Sequence, residues 1–302
     1  MRIVDDIKQG IEAAAELRLT ISNLFCIPEP ERVVLSPSIL VALDRILSSL
    51  GANTIGVTRY EYYDAYHFPN SSVIQFDVDG IVEQINVAVP NALLVSLVSW
   101  LGEVMPVDMI FRDIRQALGE SSPILIADCA HAGAIGFPRF DTIDADIVCG
   151  DICKWITPPD WQRNLAFLWF RNDFMWEEAK KVFRPFYLAT EQERKHLLAR
   201  WIDPNEVRTV VSWLKEQRLD RDTLRRRHQR NMALANKLAL QLGIAKAPTS
   251  SILYVKHEDK DNVFLRELEH SGLAWTPPGG GFRILCRSEA QPALSLIADV
   301  DD

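Results

Sequence analysis

The sequence predicts an α/β protein: a mostly parallel sheet with helices on both faces, followed by a small α+β C-terminal domain. Three observations predict it. Between residues 33 and 170, strand-length apolar runs alternate with segments of helical period. One of the later runs ends in an acid with a histidine three residues on, and the next leads to a lone lysine. Past Pro185 the chain turns charged and helical, then closes with a strand-helix-strand pattern.

The elements follow in order. Ile3, Ile7, Ile11 and Ala14 recur at helical spacing and place an N-terminal helix within residues 1–24. Val33-Val34-Leu35 reads as a short strand, and Ser36-Pro37-Ser38 opens a helix through Ala42, Leu43, Ile46 and Leu47. Further strands are expected near 54–58, 72–76, 92–98, 123–127, 145–149 and 165–170, with helices between several of them. Such alternation makes parallel strands joined by crossovers, and ligands on such sheets bind at the strands' C-terminal ends. The division expected is a large domain over 1–190, a linking helical segment over 191–242 and a small domain over 243–302. Within the linker Pro204 can open a helix at its first turn. The small domain is read as strand Ser251–Val255, helix Asn262–Gly272 and strand Phe282–Cys286.

Charge and cysteine usage narrow the function classes. A net charge of −8 argues against nucleic acid or an anionic membrane as the main partner. Apolar runs stop at strand length, so no membrane span is expected, and Asp5 and Asp6 interrupt any apolar leader near the start. Five cysteines without paired spacing suit a reducing compartment, with the cytoplasm as default. The basic run Arg225-Arg226-Arg227, with Arg221 and Arg230, reads as a solvated helix face. The six histidines show no metal-ligand spacing, so no metal is expected.

The chemistry concentrates in two places. Ile124-Leu125-Ile126-Ala127 is an apolar strand that ends in Asp128, with His131 three residues on. A second strand, Ala145 to Cys149, leads to Lys154 between Cys153 and Trp155, 26 residues beyond Asp128. An amine and a carboxylate at the ends of neighbouring parallel strands are what pyridoxal phosphate chemistry requires. The lysine forms a Schiff base with the aldehyde, and the acid keeps the pyridine nitrogen protonated. The apolar flanks of Lys154 suggest a buried amine, which is more readily neutral and nucleophilic.

Ala127–Pro138 (ADCAHAGAIGFP) and the later DICKWITPP resemble the cofactor-binding core of class V aminotransferase-like enzymes, a fold-type I family that includes cysteine desulfurases, kynureninase and isopenicillin N epimerase-like proteins. Leu97–Val107 is similar to the segment ahead of the family's aspartate, and Gly281-Phe282-Arg283-Ile284-Leu285 to the strand that carries its substrate-carboxylate arginine. The resemblance implies a fold-type I sheet domain, pyridoxal 5'-phosphate as cofactor, an amino acid or amine as substrate and a homodimer with sites at the subunit boundary. It implies Lys154 as the catalytic Schiff-base residue and Asp128 as the pyridinium partner. His131 and Tyr62 become ring contacts, Ser36 and Ser38 phosphate contacts at a helix start, and Arg283 the carboxylate clamp. Aminotransferase, lyase and epimerase reactions all remain open. Where family desulfurases carry a reactive cysteine, this chain reads Leu273-Ala274-Trp275-Thr276-Pro277-Pro278, so that route is disfavoured.

The departures lie mostly around the phosphate. Asp151 stands where the family has a small hydroxyl residue, and Cys153 where a histidine often precedes the lysine. Ile39 and Leu40 follow Ser38 in place of hydroxyl donors. The Gly-Thr pair lent to a neighbouring subunit is missing around Arg200-Trp201-Ile202-Asp203-Pro204. Family chains of ~400 residues would leave this one about a quarter shorter. Either backbone groups hold the phosphate, or the cofactor is bound weakly or not at all. Two functions therefore stand side by side: a pyridoxal-phosphate enzyme, and a degenerate, non-catalytic family member serving as a binding or partner subunit.

Overall fold

The computed structural model describes residues 2–59, 61, 68, 71–157, 165–183, 204–256, 269, 274–275 and 281–287. The N-terminal helix α1 covers Arg2–Phe25, ending one residue later than its apolar spacing suggests. Strand β1 (Val33–Ser36) and helix α2 (Ile39–Ser49) follow, with Ser38 at the N-cap. Next come β2 (Thr54–Thr58), β3 (Ser72–Phe76), α3 (Ile81–Ala88) and β4 (Ala92–Ser96). Helix α4 (Val107–Leu118), β5 (Ile124–Asp128), β6 (Ile147–Asp151), β7 (Ala166–Phe170) and α5 (Asp173–Phe183) complete the sheet region.

The seven strands lie in the order β1-β7-β6-β5-β4-β2-β3, all parallel except β7, which runs antiparallel to both its neighbours. The central strands β4 and β7 are buried along their whole length, which is why they read as unbroken apolar runs rather than alternating ones. Their residues divide strictly between two cores. Leu93, Val95, Leu125, Val148, Phe167 and Trp169 face one layer, which receives α1, α3 and α4. Ala92, Leu94, Ile126, Ile147, Leu168 and Phe170 face the other, which receives α2 and α5. The period of two along each strand thus builds a three-layer sandwich with the sheet at its centre.

The charged segment resolves into two helices, α6 (Pro204–Glu216) and α7 (Arg221–Gln241), where the sequence suggested one linking helix. Arg218 adopts a left-handed φ of 47° between them, and Asp220 caps α7 by accepting from the Thr223 N–H, so the chain restarts rather than continues. Helix α6 packs along α1, with Lys215 reaching Glu16 at 2.6 Å. Strands β8 (Ile252–Val255), β9 (Ala274–Trp275) and β10 (Phe282–Leu285) form an antiparallel sheet in the order β8-β10-β9. This sheet shares a third apolar cluster with Ala235, Leu238 and Ala239 of α7. Most of the helix expected over 262–272 lies outside the described residues. The strand expected over 145–149 is found two residues later, so that its last residue is Asp151.

Candidate functional site

Every strand of the parallel set except β3 ends in a polar residue. Ser36 ends β1, Thr58 ends β2, Ser96 ends β4, Asp128 ends β5 and Asp151 ends β6. Register lines them up: Ser96 lies opposite Asp128, while Asp151 and Ser36 lie on either side of Ala166 at the start of β7. Strand spacing of about 4.8 Å then puts Ser36 and Asp151 roughly 10 Å apart. A row of polar groups along one edge of an apolar sheet is what a ligand site of this topology requires.

At the β5 end, Asp128 is buried and its Oδ1 accepts the Ala130 N–H at 2.8 Å. The turn this makes carries His131, half-buried, into contact with Trp155 from the β6 loop. The Trp155 indole N–H donates to His131 Nδ1 at 3.1 Å, with the rings edge-on. That bond assigns the imidazole proton to Nε2. Burial, together with the Arg283 and Lys154 charges, holds His131 well below the ordinary histidine range, so the ring is neutral. Gly133 permits the approach: a Cβ there would lie 2.3 Å from the Trp155 Cβ.

At the β6 end, Asp151 Oδ1 accepts the backbone N–H of Cys153 at 2.7 Å and of Lys154 at 2.9 Å. The carboxylate therefore turns into its own loop and fixes the backbone of Lys154. Lys154 itself is exposed, contrary to the buried setting that its apolar neighbours suggest; Cys153 and Trp155 take the interior and leave the amine outward. The far side of the turn is held by two arginines. Arg287 donates to the carbonyls of Lys154, at 2.9 Å, and Thr157. Arg227 donates to those of Trp155, at 3.4 Å, and Ile156, at 2.8 Å. Four consecutive carbonyls at the end of a helical turn thus face cations, the arrangement that the backbone dipole favours.

Both arginines were missed by sequence reasoning. The basic run on α7 is not wholly a solvated face: Arg227 serves the Lys154 turn, and Arg221 bonds the carbonyls of Leu24 and Phe137. Arg287 had no periodic or motif signal. Glu61 was likewise passed over; it is buried beside Ser96, and burial lifts its carboxyl to about 7.

Arg283 is buried in β10, opposite Tyr254, and its charge reaches His131. The structure therefore brings Asp128, His131, Lys154 and Arg283 to one edge of the sheet. Ser36 is fully buried, and its hydroxyl donates to the Ser38 carbonyl at 2.8 Å, while the Ser38 N–H points back to it at 3.3 Å. The Ser38 side chain makes no capping bond to α2. Tyr62 lies outside the described residues. The buried thiols of Cys129, Cys149, Cys153 and Cys286 are pushed up by burial, Cys153 to about 11 and Cys286 to about 12, so none is an activated thiolate. Among the described residues, no group of three or more His, Cys, Asp or Glu is placed to hold a metal, and no helix is long and apolar enough to cross a membrane.

No protein-family model and no curated protein matches the sequence. Solved structures do. A variant of the cystine C-S lyase C-DES, with glycine covalently linked to its pyridoxal phosphate, superimposes with a TM-score of 0.71 at 16% identity over 99% of this chain and 88% of that one. The fold is that of the fold-type I pyridoxal-phosphate enzymes. Ureidoglycine-glyoxylate aminotransferase from Bacillus subtilis shares this fold-type I architecture, with a TM-score of 0.68 at 15% identity over 95% and 83% of the two chains. So does the cysteine desulfurase of Thermococcus onnurineus NA1, with a TM-score of 0.64 at 14% identity over 97% and 84%. Against C-DES the shortfall in length is nearer an eighth than the quarter expected from typical fold-type I chains.

Proposed function

We propose that this chain is a pyridoxal-phosphate enzyme acting on an amino acid or amine. The observation that carries the reading is the convergence of Asp128, His131, Lys154 and Arg283 at the carboxyl ends of the sheet strands. Their chemistry fits the cofactor. Asp128 is a buried acceptor suited to a protonated ring nitrogen, and His131 offers a neutral, fixed imidazole at the side of the ring. Ser38 and the first N–H groups of α2 are suited to the phosphate, since helix starts attract anions, and Ser36 supports them from beneath by donating its hydroxyl to the Ser38 carbonyl. Tyr62 keeps its assignment as a second ring contact.

Pyridoxal phosphate, when bound, supplies an aldehyde that condenses with amines and a ring that withdraws electrons from the carbon next to the substrate nitrogen. The chain's own residues do the rest. Lys154 would provide the amine for the aldehyde and would carry a proton to and from the substrate carbon. Its outward position leaves it free to do so while Asp151, Arg227 and Arg287 keep its backbone still. Arg283 takes the substrate carboxylate with its planar fork. Asp128 keeps a proton on the ring nitrogen, and His131, being neutral, adds no charge against it.

The inward turn of Asp151 bears on the choice between enzyme and non-catalytic subunit. An acid in the phosphate region is one of the departures that favour a degenerate site, and its oxygen is occupied by the Lys154 loop. We assign the chain a homodimer and the three-part division 1–190, 191–242 and 243–302 as part of the same reading. The test is the absorbance spectrum of the protein with added pyridoxal phosphate, before and after borohydride. The expected result is a visible band that borohydride fixes as a modified Lys154 in peptide mass spectra, and that Lys154→Ala removes. No band at saturating cofactor overturns the enzyme and leaves a fold used for binding or partnership.

A further inference from the structure

Glu61 is a carboxylic acid with no task in the chemistry above. It follows β2 by three residues and is 2% exposed, folded back against the ends of β2 and β4. Its Oε1 accepts the Thr58 hydroxyl at 3.1 Å and the Ser96 backbone N–H at 2.6 Å, and its Oε2 meets the Ser96 hydroxyl. Ser96 is the direct cross-strand neighbour of Asp128, itself buried. One serine therefore stands between two buried carboxyl groups at the edge where the ring is proposed to lie.

Two carboxylates so close in a desolvated setting do not both ionise easily, because each charge opposes the other and water is not there to screen them. The nearby charges are of both signs: Arg283 and Lys154 reach His131, three residues on from Asp128, and Lys154 also reaches Asp151. Arg59 turns away to an exposed pair with Asp77, and the thiols beside Asp128, Cys129 and Cys149, stay protonated. Asp151, on the next strand, adds a further negative charge within reach of Asp128. Burial, with the Asp128 charge as a smaller contribution, brings Glu61 to about 7, whereas its bonds to Ser96 and Thr58 pull the other way. The Ser96 hydroxyl suits either state: it donates to the Glu61 carboxylate and accepts from the carboxylic acid, so no backbone need move when the proton leaves.

We propose that Glu61 keeps its proton beside Ser96 in the free protein, and that it releases that proton when a cationic nitrogen ring is seated on Asp128. The inference rests on the reading of Asp128 as the ring-nitrogen partner. The balance is simple: the ring arrives with its own N–H, the Glu61 proton passes to bulk water, and two carboxylates then face one cation. Glu61 touches neither ring nor substrate and is a positioning residue, setting the charge that Asp128 presents.

The probe is pyridoxine 5'-phosphate, an alcohol that cannot condense with Lys154. Its binding is measured by titration calorimetry at pH 7 in two buffers of different ionisation heat, which counts protons exchanged. At pH 7 wild type is expected to release up to about half a proton more than Glu61→Gln, and its affinity to rise by up to about tenfold per pH unit between pH 5 and 7 and to level off above, a slope that the variant loses. Should Glu61→Gln fail to fold, difference infrared spectra of the wild type decide: the carbonyl stretch of a protonated buried carboxyl must vanish on binding. Equal proton counts in the two proteins, or an unchanged carbonyl stretch, overturn the proposal while the cofactor reading stands. If pyridoxine phosphate and pyridoxal phosphate both fail to bind, the cofactor reading falls and takes this proposal with it.

Discussion

Strands β5 and β6 end the same way and lead to opposite places. Each closes on an aspartate whose Oδ1 accepts a backbone N–H two residues on, Ala130 in one case and Cys153 in the other. After Asp128 the chain presents a neutral imidazole tied to an indole, and the neighbours of Asp128 on the adjoining strands are Ser96 and the buried Cys149. After Asp151 it presents an exposed amine, with a second backbone bond to the carboxylate and two arginines behind the turn. An aspartate at a strand end is thus a turn-former first. What surrounds the turn decides whether its charge is offered to a ligand or kept for the backbone.

The comparison breaks most visibly at Arg287. Arg287→Ala leaves the Lys154 and Thr157 carbonyls without their cation, and at roughly 1.5–3 kcal/mol per charge-assisted bond the expected loss is about 3–5 kcal/mol. Chemical denaturation measures it, and Arg287→Lys should recover part. Gly133→Ala attacks the other loop. Its new methyl collides with Trp155, so about 1–3 kcal/mol is expected to go. The indole N–H resonance of Trp155 should shift as its bond to His131 breaks.

Glu61 sharpens the β5 side through pH. Its folded value, about 7, lies above the unfolded carboxylate value, so the folded state binds the extra proton. Its contribution is complete below pH 4.5 and is lost as pH rises through 7, by at most roughly 3 kcal/mol. Unfolding free energies measured from pH 4.5 to 8 should show that decline in wild type and not in Glu61→Gln. The smallest effect separates the two aspartates themselves. Asp151→Asn keeps the Oδ1 acceptor and should change stability by less than about 1 kcal/mol while tightening pyridoxal phosphate a few-fold, by removing a negative charge near the phosphate. Asp128→Asn should weaken it instead. Binding titrations followed by absorbance distinguish the two, and a weakening by Asp151→Asn would mean that its charge serves the ligand.

The sheet and its strand ends were legible because buried parallel strands must be apolar throughout and must stop where polar residues begin. Asp128 and Lys154 stood out for that reason. The antiparallel course of β7 left no mark, since a strand buried on both faces reads alike in either direction. The supporting residues were hidden for another reason. Arg227 and Arg287 act on carbonyls 71 to 133 residues away in sequence, and a backbone acceptor carries no residue-type signature. Glu61 was equally silent, because a lone acid after a strand looks like any surface turn. Lys154 misled in the opposite sense: apolar neighbours do not bury a residue whose own side chain points out of the turn.

The grip of Arg287 on the Lys154 turn also has a consequence for the order of assembly during synthesis. Chains emerge from the ribosome N-terminus first, and all seven strands of the large sheet are made by residue 170, while the layers that cover it still await Met175, Val207 and Leu224. The turn that carries the lysine must wait for a side chain made 133 residues later. A half-made chain therefore holds the strands of the sheet without the side chain that fixes the Lys154 turn.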